Sequence, residues 1–254
     1  INKAKEILNY KEPNKKERYQ QDLSREQFLT NMFQYFKNGV SNSKPAKEYL
    51  QSRNLDNKKI EIGYNGGQFH HGTRKDETLI NQCLEYGLLI DKGNKGRTGE
   101  LAYNIFGKWS VVFALKNKEN KVVSLYFRST LDKENAKHFY LKNRAGLYPN
   151  YPKPTTKKLI LTESIIDCAS LLQIDEVIKK ALDTELVEVL ACYGTNGLNE
   201  EIQNAIKELK QLEEIIFCFD TDDAGHTATA NYSEMLKAEY PNLKITTLEL
   251  PNKD

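Results

Sequence analysis

The sequence has few of the features that mark secreted or membrane proteins. Its four cysteines, Cys83, Cys168, Cys192 and Cys218, include no pair spaced as a Cys-x-x-Cys zinc hook. No apolar run approaches the roughly 20 residues that a membrane span needs, and no signal-peptide pattern opens the chain. These absences argue against a disulfide framework, a structural zinc site and a membrane partner. We expect a cytoplasmic protein with reduced, buried thiols.

The chain also begins without methionine. Its first residue is Ile1, so we expect a fragment of a longer protein. With 254 residues, 39% of them hydrophobic, it is long enough for two modest domains. The polar residues 1–23 are expected to form a charged linker or tail. The proline-rich stretch YPNYPKP then predicts a boundary between a domain over 24–156 and a domain over 157–254.

The formal net charge is only +2, but the charge is distributed unevenly. Residues 1–157 hold 29 Lys and Arg against 16 Asp and Glu, which gives +13. Residues 158–254 hold 8 against 19, which gives −11. A basic half suits a polyanionic partner, and an acidic half suits cations. The alternative is solvated surface charge that happens to segregate.

In the basic half, the apolar spacing predicts helices first and antiparallel strands afterwards. Ser24, with Gln27 three residues later, is typical of a capping box at the start of a helix. From Leu101 the period changes to that of antiparallel strands, with a turn at Lys118–Asn120. We therefore expect a mixed α+β subdomain over residues 24–156.

Residues 157–254 alternate between short apolar strands and helices. Seven segments agree: KKLILTE, SIIDCASLLQ, LVEVLACYG, LNEEIQNAIKELKQL, EEIIFCFD, DAGHTATANYSEMLKAEY and LKITTLEL. This alternation is typical of a parallel sheet with helices on both faces. The predicted fold class is α/β, with the basic α+β subdomain followed by a domain built on a helix-flanked parallel sheet.

Acidic residues follow the strands of this predicted sheet. Glu163 ends the first strand, Asp220 ends the third, Asp222 comes two residues later, and Asp254 lies just past the fourth. Asp167 stands one helical turn after Glu163. Ligands of parallel sheets collect beyond the carboxyl ends of the strands, so we expect these acids to converge there. Carboxylate oxygens are the ligands that Mg²⁺ prefers.

Two neighbouring acids also have a purely structural interpretation. An Asp before DAGHTATA is a good helix N-cap and complements the helix dipole. Of the pair, we assign Asp223 to the cap and Asp222 to the metal. Glu163 lacks such an explanation, because Ser164 would serve as well to cap the helix that follows it.

The chain resembles a known family in its order of motifs. LTESIIDCAS, CYGTNGL, FCFDTDDAG and LELPNKD are similar to the Toprim domain of DnaG-type bacterial primases. Upstream, AKEYLQSRNLDNKKIEIGYN, CLEYGLLID, WSVVFALKNKENKVVSLYFRST and HFYLKNRAGLYP resemble successive parts of the primase core's basic subdomain. Residues 45–254 are covered. Departures at Ser164, Thr221 and His226 indicate a divergent branch, such as one carried by a mobile element.

The resemblance implies roles for eight residues and a cofactor. Glu163, Asp220 and Asp222 match the catalytic, metal-carrying acids; Asp167 and Asp254 match further acidic metal positions; Arg128, Lys142 and Arg144 correspond to nucleic-acid or nucleotide-binding positions. The implied cofactor is Mg²⁺ or Mn²⁺.

The implied function is that of a primase in DNA replication: synthesis of short RNA primers on single-stranded DNA by metal-dependent nucleotidyl transfer. The expected partners are a single-stranded template, ribonucleotides, a replicative helicase and an N-terminal zinc-binding module that this sequence lacks. Two alternatives use the same residues: a Toprim-type nuclease or strand-cleaving enzyme, and a non-catalytic single-strand-binding module. Trp109 and Tyr126 could stack bases, although aromatic residues in strands usually serve packing.

Overall fold

The computed structural model describes residues 23–70, 76–96, 99, 101–131, 138–173 and 186–248. In chain order the basic half contains α1 (Arg25–Val40), α2 (Lys44–Ser52), β1 (Gly63–Asn65), α3 (Glu77–Tyr86), β2 (Leu89–Lys95), β3 (Leu101–Ile105), β4 (Ser110–Lys116), β5 (Val122–Ser129) and β6 (His138–Tyr140). The acidic half contains β7 (Lys158–Thr162), α4 (Ile165–Leu172), β8 (Val187–Ala191), α5 (Glu200–Lys207), β9 (Glu214–Cys218), α6 (Asp223–Glu239) and β10 (Lys244–Thr247). The predicted tail falls almost wholly outside the described residues.

The first helix begins at the predicted capping box. Ser24 Oγ accepts a hydrogen bond from the Gln27 backbone N–H at 3.3 Å, and Gln27 Oε1 accepts one from the Ser24 N–H at 3.2 Å. These reciprocal bonds satisfy two of the donors that a helix N-terminus leaves without partners. The prediction of the α1 start is confirmed.

Strands β1, β4, β5 and β6 form an antiparallel sheet in the order β1-β4-β5-β6, and β2 pairs with β3 in a separate ribbon. The β4–β5 turn includes the predicted Lys118–Asn120. Asn117 Oδ1 accepts a hydrogen bond from the Lys121 N–H at 2.9 Å, and Asn120 takes a left-handed φ of 59°. Asn tolerates this conformation better than most residues.

The acidic half folds as the seven segments predicted. Its four strands are all parallel, in the order β10-β9-β7-β8. Leu159, Leu161 and Phe217 belong to a core cluster with residues of α5 and α6. Ala191 instead belongs to a second cluster together with α4. Helices therefore cover both faces of the sheet, which confirms the predicted fold class.

The cluster around α4 spans both halves of the chain. Ile165 and Cys168 of α4 share it with Val111 and Phe113 of β4 and with Tyr126 of β5. Helix α4 is thus packed between the parallel sheet and the antiparallel sheet. The domain boundary at residue 157 stays a prediction, and the two predicted domains hold this core in common.

All four cysteines are buried and free, as the sequence predicted. The described part of the chain contains no helix long and apolar enough to cross a membrane.

Candidate active site

Two acids meet at the carboxyl edge of the parallel sheet. Glu163 directly follows β7, and Asp220 lies two residues after β9. Strands β7 and β9 are neighbours whose last paired residues are Thr162 and Cys218, so both acids emerge at the same level. The Glu163 Oε2 atom accepts a hydrogen bond from the Asp220 backbone N–H at 3.3 Å.

Neighbouring carboxylates act on Glu163. Burial raises the pKa of this half-buried side chain most strongly, and the negative charges of Asp220, Asp222 and Asp167 raise it further. The hydrogen bond from the Asp220 N–H opposes them. The four acids therefore share one electrostatic environment, in which a cation would relieve the repulsion.

Asp222 caps helix α6. Its backbone is extended, with φ −92° and ψ 171°, and its Oδ1 accepts a hydrogen bond from the Gly225 N–H at 2.9 Å. The prediction that Asp223 is the cap is therefore wrong: Asp223 is the first helical residue, where its charge still complements the helix dipole. A carboxylate has two oxygens and about four acceptor sites, so capping by Asp222 does not exclude binding a cation.

Gly225 sets the geometry of this turn. A Cβ at this position would lie 2.1 Å from the Asp220 carbonyl oxygen, closer than any side chain tolerates. The absence of a side chain lets the start of α6 approach the backbone of Asp220. In the sequence Asp-x-Asp-x-x-Gly, the glycine thus allows the helix start that carries Asp222 to lie close to Asp220.

Asp167 stabilises the start of α4. Its Oδ2 accepts a hydrogen bond from the Ser164 N–H at 2.9 Å, and the Ser164 Oγ accepts one from the Asp167 N–H at 3.3 Å. Ser164 is therefore the cap, which leaves Glu163 without a capping role. Asp167 combines a structural role with a position close enough to raise the pKa of Glu163.

The residues present suit a hard divalent cation. Glu163, Asp220 and Asp222 offer carboxylate oxygens, the donors that Mg²⁺ and Mn²⁺ prefer. Within the described residues, no three acidic, histidine or cysteine side chains are already arranged around a common point. Asp254 lies outside the described residues. The carboxylate oxygens are suitable ligands for a divalent cation, and the acids that carry them are gathered at the carboxyl edge of the parallel sheet.

The loop after β8 supports the backbone of Glu163. The Gly194 N–H donates a hydrogen bond to the Glu163 carbonyl oxygen at 2.7 Å, and the Cys192 N–H donates one to the Thr162 carbonyl oxygen at 2.8 Å. Just before Gly194, Tyr193 has a left-handed φ of 62°. Sequence reasoning missed Tyr193; its only signal is a bulky residue directly before a glycine in a loop.

Arg144 links this loop to the basic half. Its guanidinium carbon lies 5.0 Å from the ring centre of Tyr140 and 4.9 Å from that of Tyr193. The Tyr193 hydroxyl also donates a hydrogen bond to the Gly146 carbonyl oxygen at 3.0 Å. The exposed Arg144 side chain therefore lies against an aromatic ring from each half, close to the loop that supports Glu163.

The other two predicted basic residues lie in different surroundings. Arg128 is half-buried on β5, opposite Val111 and His138. Burial lowers the pKa of His138, and the charge of Arg128 lowers it further. Lys142 is exposed and lies beside Gly87, while its carbonyl oxygen accepts a hydrogen bond from Arg25 at 3.0 Å. Lys142 therefore lies beside the start of α1 and the end of α3.

Comparison with known proteins agrees with this architecture. Residues 160–254 match the Toprim-like family. A DNA primase from Borreliella burgdorferi is 28% identical over 215 residues, which cover 79% of this chain and 38% of that protein.

Solved structures share the fold. The DnaG primase catalytic domain bound to ssDNA is 17% identical, with a TM-score of 0.63 over 91% of this chain and 74% of that chain. The Aquifex aeolicus primase, solved with its zinc-binding and RNA polymerase domains, is 18% identical, with a TM-score of 0.67 over 99% of this chain and 60% of that chain. The chain has the fold of the DnaG catalytic core, and the resemblance drawn from its motifs is confirmed.

Proposed function

We propose that this chain, which has the fold of the DnaG catalytic core, is the primer-synthesising core of a DNA primase. Primer synthesis here means metal-dependent joining of ribonucleotides on a single-stranded DNA template. The observation that carries the proposal is the meeting of Glu163 with Asp220 at the carboxyl edge of the parallel sheet, where Glu163 Oε2 accepts a hydrogen bond from the Asp220 backbone N–H at 3.3 Å. The similarity of the chain to a DNA primase supports the choice of reaction.

The acidic edge supplies the cation site. Glu163, Asp220 and Asp222 would hold Mg²⁺ or Mn²⁺, with Asp167 beside them and Asp254 as a further acidic position. When bound, the cation neutralises phosphate charge and stabilises the attacking and leaving oxygens of a phosphoryl transfer. The protein holds its acids on a strand end and on a helix cap, which keeps them in position before the nucleotides arrive. No covalent enzyme intermediate is needed.

The basic half supplies the template site. Its formal charge of +13 over residues 1–157 suits a phosphate backbone, which Lys and Arg neutralise without reading sequence. Arg128 lies on the antiparallel sheet, which packs against α4, and α4 begins two residues after Glu163. A DNA template bound along this sheet would therefore lead toward the acids. A DnaG catalytic domain has been solved with bound ssDNA, which supports the same use here. A zinc-binding module and a replicative helicase are the further partners that we propose for the whole protein.

The test is a reaction containing single-stranded DNA, labelled ribonucleotides and Mg²⁺ or Mn²⁺, scored for synthesis and for cleavage. Asp220→Asn and Asp222→Asn should each abolish synthesis while the fold is retained, because Asn caps a helix about as well as Asp. Asp223→Asn is the matched control and should be nearly silent. If the protein nicks DNA without making primers, and the same two substitutions stop the nicking, the nuclease alternative takes the place of the primase proposal.

A further inference from the structure

The chain's single tryptophan is exposed in the turn between β3 and β4. The side chain of Trp109 is 42% exposed. Tyr126, the other aromatic residue considered for base stacking, is 2% exposed and belongs to the core. Burying a large apolar side chain stabilises a protein, so packing explains Tyr126 and leaves the exposure of Trp109 unexplained.

The backbone of Trp109 is strained and held from both sides. Its φ of 59° lies in the left-handed region, which a bulky residue rarely adopts. Its N–H donates a hydrogen bond to the Asn65 carbonyl oxygen at 2.7 Å. Its carbonyl oxygen accepts two from Thr130, at 2.9 Å from the N–H and 2.8 Å from the hydroxyl. Such strain persists where the surroundings impose it, and it is frequent at ligand-binding positions.

A buried asparagine fixes the turn that leads to Trp109. Asn65 is fully buried, and its Nδ2 donates hydrogen bonds to the carbonyl oxygens of Phe106 at 2.9 Å and Gly107 at 3.1 Å. Gly107 is itself left-handed, and a Cβ there would lie 2.4 Å from the Phe127 ring. The exposed indole therefore projects from a rigid backbone, so little backbone entropy is lost when a ligand stacks on it.

One lysine contacts this indole, and an arginine lies at the same end of the sheet. The Lys108 ammonium lies 4.3 Å from the centre of the Trp109 ring. Arg128 lies at the same end of the sheet, two residues before Thr130, the residue that holds the Trp109 carbonyl. A flat aromatic face flanked by cations is how proteins bind single strands without reading their sequence: bases stack on the ring, and the cations meet the phosphates.

We propose that Trp109 is a stacking platform for a base of the single-stranded template, with Lys108 and Arg128 on the flanking phosphates. This rests on the proposed function, since it assigns a residue to template binding. The contact is sequence-tolerant, because every base presents a π-face.

The experiment exploits the fact that Trp109 is the only tryptophan in the chain. An oligo(dT) strand is titrated into the 254-residue chain, and indole emission is followed beside the anisotropy of a labelled strand. Saturable quenching should follow the anisotropy curve. Trp109→Leu should weaken binding roughly fivefold to a hundredfold, the range that base–aromatic stacking spans, while Trp109→Phe should retain most of the affinity.

A matched control is Leu101→Ala, because Leu101 is 56% exposed on β3, the strand that precedes the Trp109 turn in the chain, and is apolar without being aromatic. Its affinity should equal that of the parent chain. Two results together would overturn the stacking platform and leave the proposed function intact. The parent chain would bind the DNA strand without a change in indole emission, and Trp109→Leu would bind it with unchanged affinity. If Trp109→Leu does not fold, the indole emission of the parent chain still tests the proposal, because a strand that stacks on Trp109 must change that emission. Quenching by free ribonucleotides and not by the strand would also overturn the assignment, and a chain that binds no strand at any salt concentration would refute template binding itself.

Discussion

The guanidinium carbon of Arg144 lies 4.9 Å from the ring centre of Tyr193. This contact joins the segment after β6 to the loop after β8, whose Gly194 N–H binds the Glu163 carbonyl oxygen. An arginine that the motif resemblance placed in nucleotide binding therefore also holds the basic half against the acidic edge.

Replacing Arg144 with Ala should lower the free energy of unfolding by about 0.5–1 kcal/mol, the range of a cation–π contact at an exposed site. Denaturant unfolding measures the loss. Arg144→Lys should recover part of it, because the ammonium retains the charge without the flat guanidinium. If Arg144→Ala instead leaves stability unchanged and raises only the KM for ribonucleotides, Arg144 acts on nucleotides alone.

The repulsion at the acidic edge should appear in the pH dependence of stability. The pKa of Glu163 is raised in the folded chain. Its stabilising contribution is therefore complete below the unfolded-state pKa and is lost as the pH rises through the folded value. Without divalent cations, Glu163→Gln should raise the Tm at pH 7 and leave it nearly unchanged at a pH below the pKa of a free glutamate. Thermal melts at both pH values provide the test, and equal shifts at both would contradict it.

Two roles of Asp222 can be separated. Asp222→Ala should cost about 0.5–2 kcal/mol of stability, because helix α6 loses its N-cap, whereas Asp222→Asn should retain the cap. Both should weaken Mn²⁺ binding measured by calorimetry. A stable Asp222→Asn variant with unchanged Mn²⁺ affinity would restrict Asp222 to its structural role.

Gly225→Ala reverses the usual effect of such a change. Alanine in a helix is normally favoured over glycine by about 1 kcal/mol. Here the added Cβ would lie 2.1 Å from the Asp220 carbonyl oxygen, so the helix start must move away from Asp220. We expect lower stability, measured by thermal melts, together with weaker Mn²⁺ binding, measured by calorimetry. A stabilised variant would show that this turn is adaptable.

Template binding should depend steeply on salt. A protein that neutralises 6–10 phosphates loses about 10³–10⁵ in affinity between 50 and 200 mM salt. Anisotropy across that range gives the slope. Arg128→Ala should weaken binding of all sequences about equally and make the slope shallower by about one. An affinity that does not change with salt would contradict the electrostatic account.

The sequence was sufficient to predict the elements and the meeting of Glu163 with Asp220. Apolar strands alternating with helices define a parallel sheet, and residues that follow neighbouring parallel strands must emerge at one edge. The choice between Asp222 and Asp223 as cap was not predictable in the same way. Both are good caps, and the helix start depends on how closely Gly225 approaches Asp220, which is a tertiary contact.

Trp109 and Tyr193 illustrate the same limit. Each is a bulky residue with φ near 60°, a conformation that local preference disfavours. Distant partners impose it, since Asn65 and Thr130 hold Trp109 and Arg144 packs against Tyr193. Neither role has a motif, because the residues that create it are far apart in the chain.

Helix α4 has a consequence for protein engineering. One surface of this helix contacts the parallel sheet, and its neighbours in the same cluster include Val111, Phe113 and Tyr126 of the antiparallel sheet. The acidic half therefore cannot be grafted as a self-contained cassette. A recipient scaffold must offer an apolar surface that replaces these three side chains, or the graft would expose Ile165 and its neighbours and be prone to aggregate.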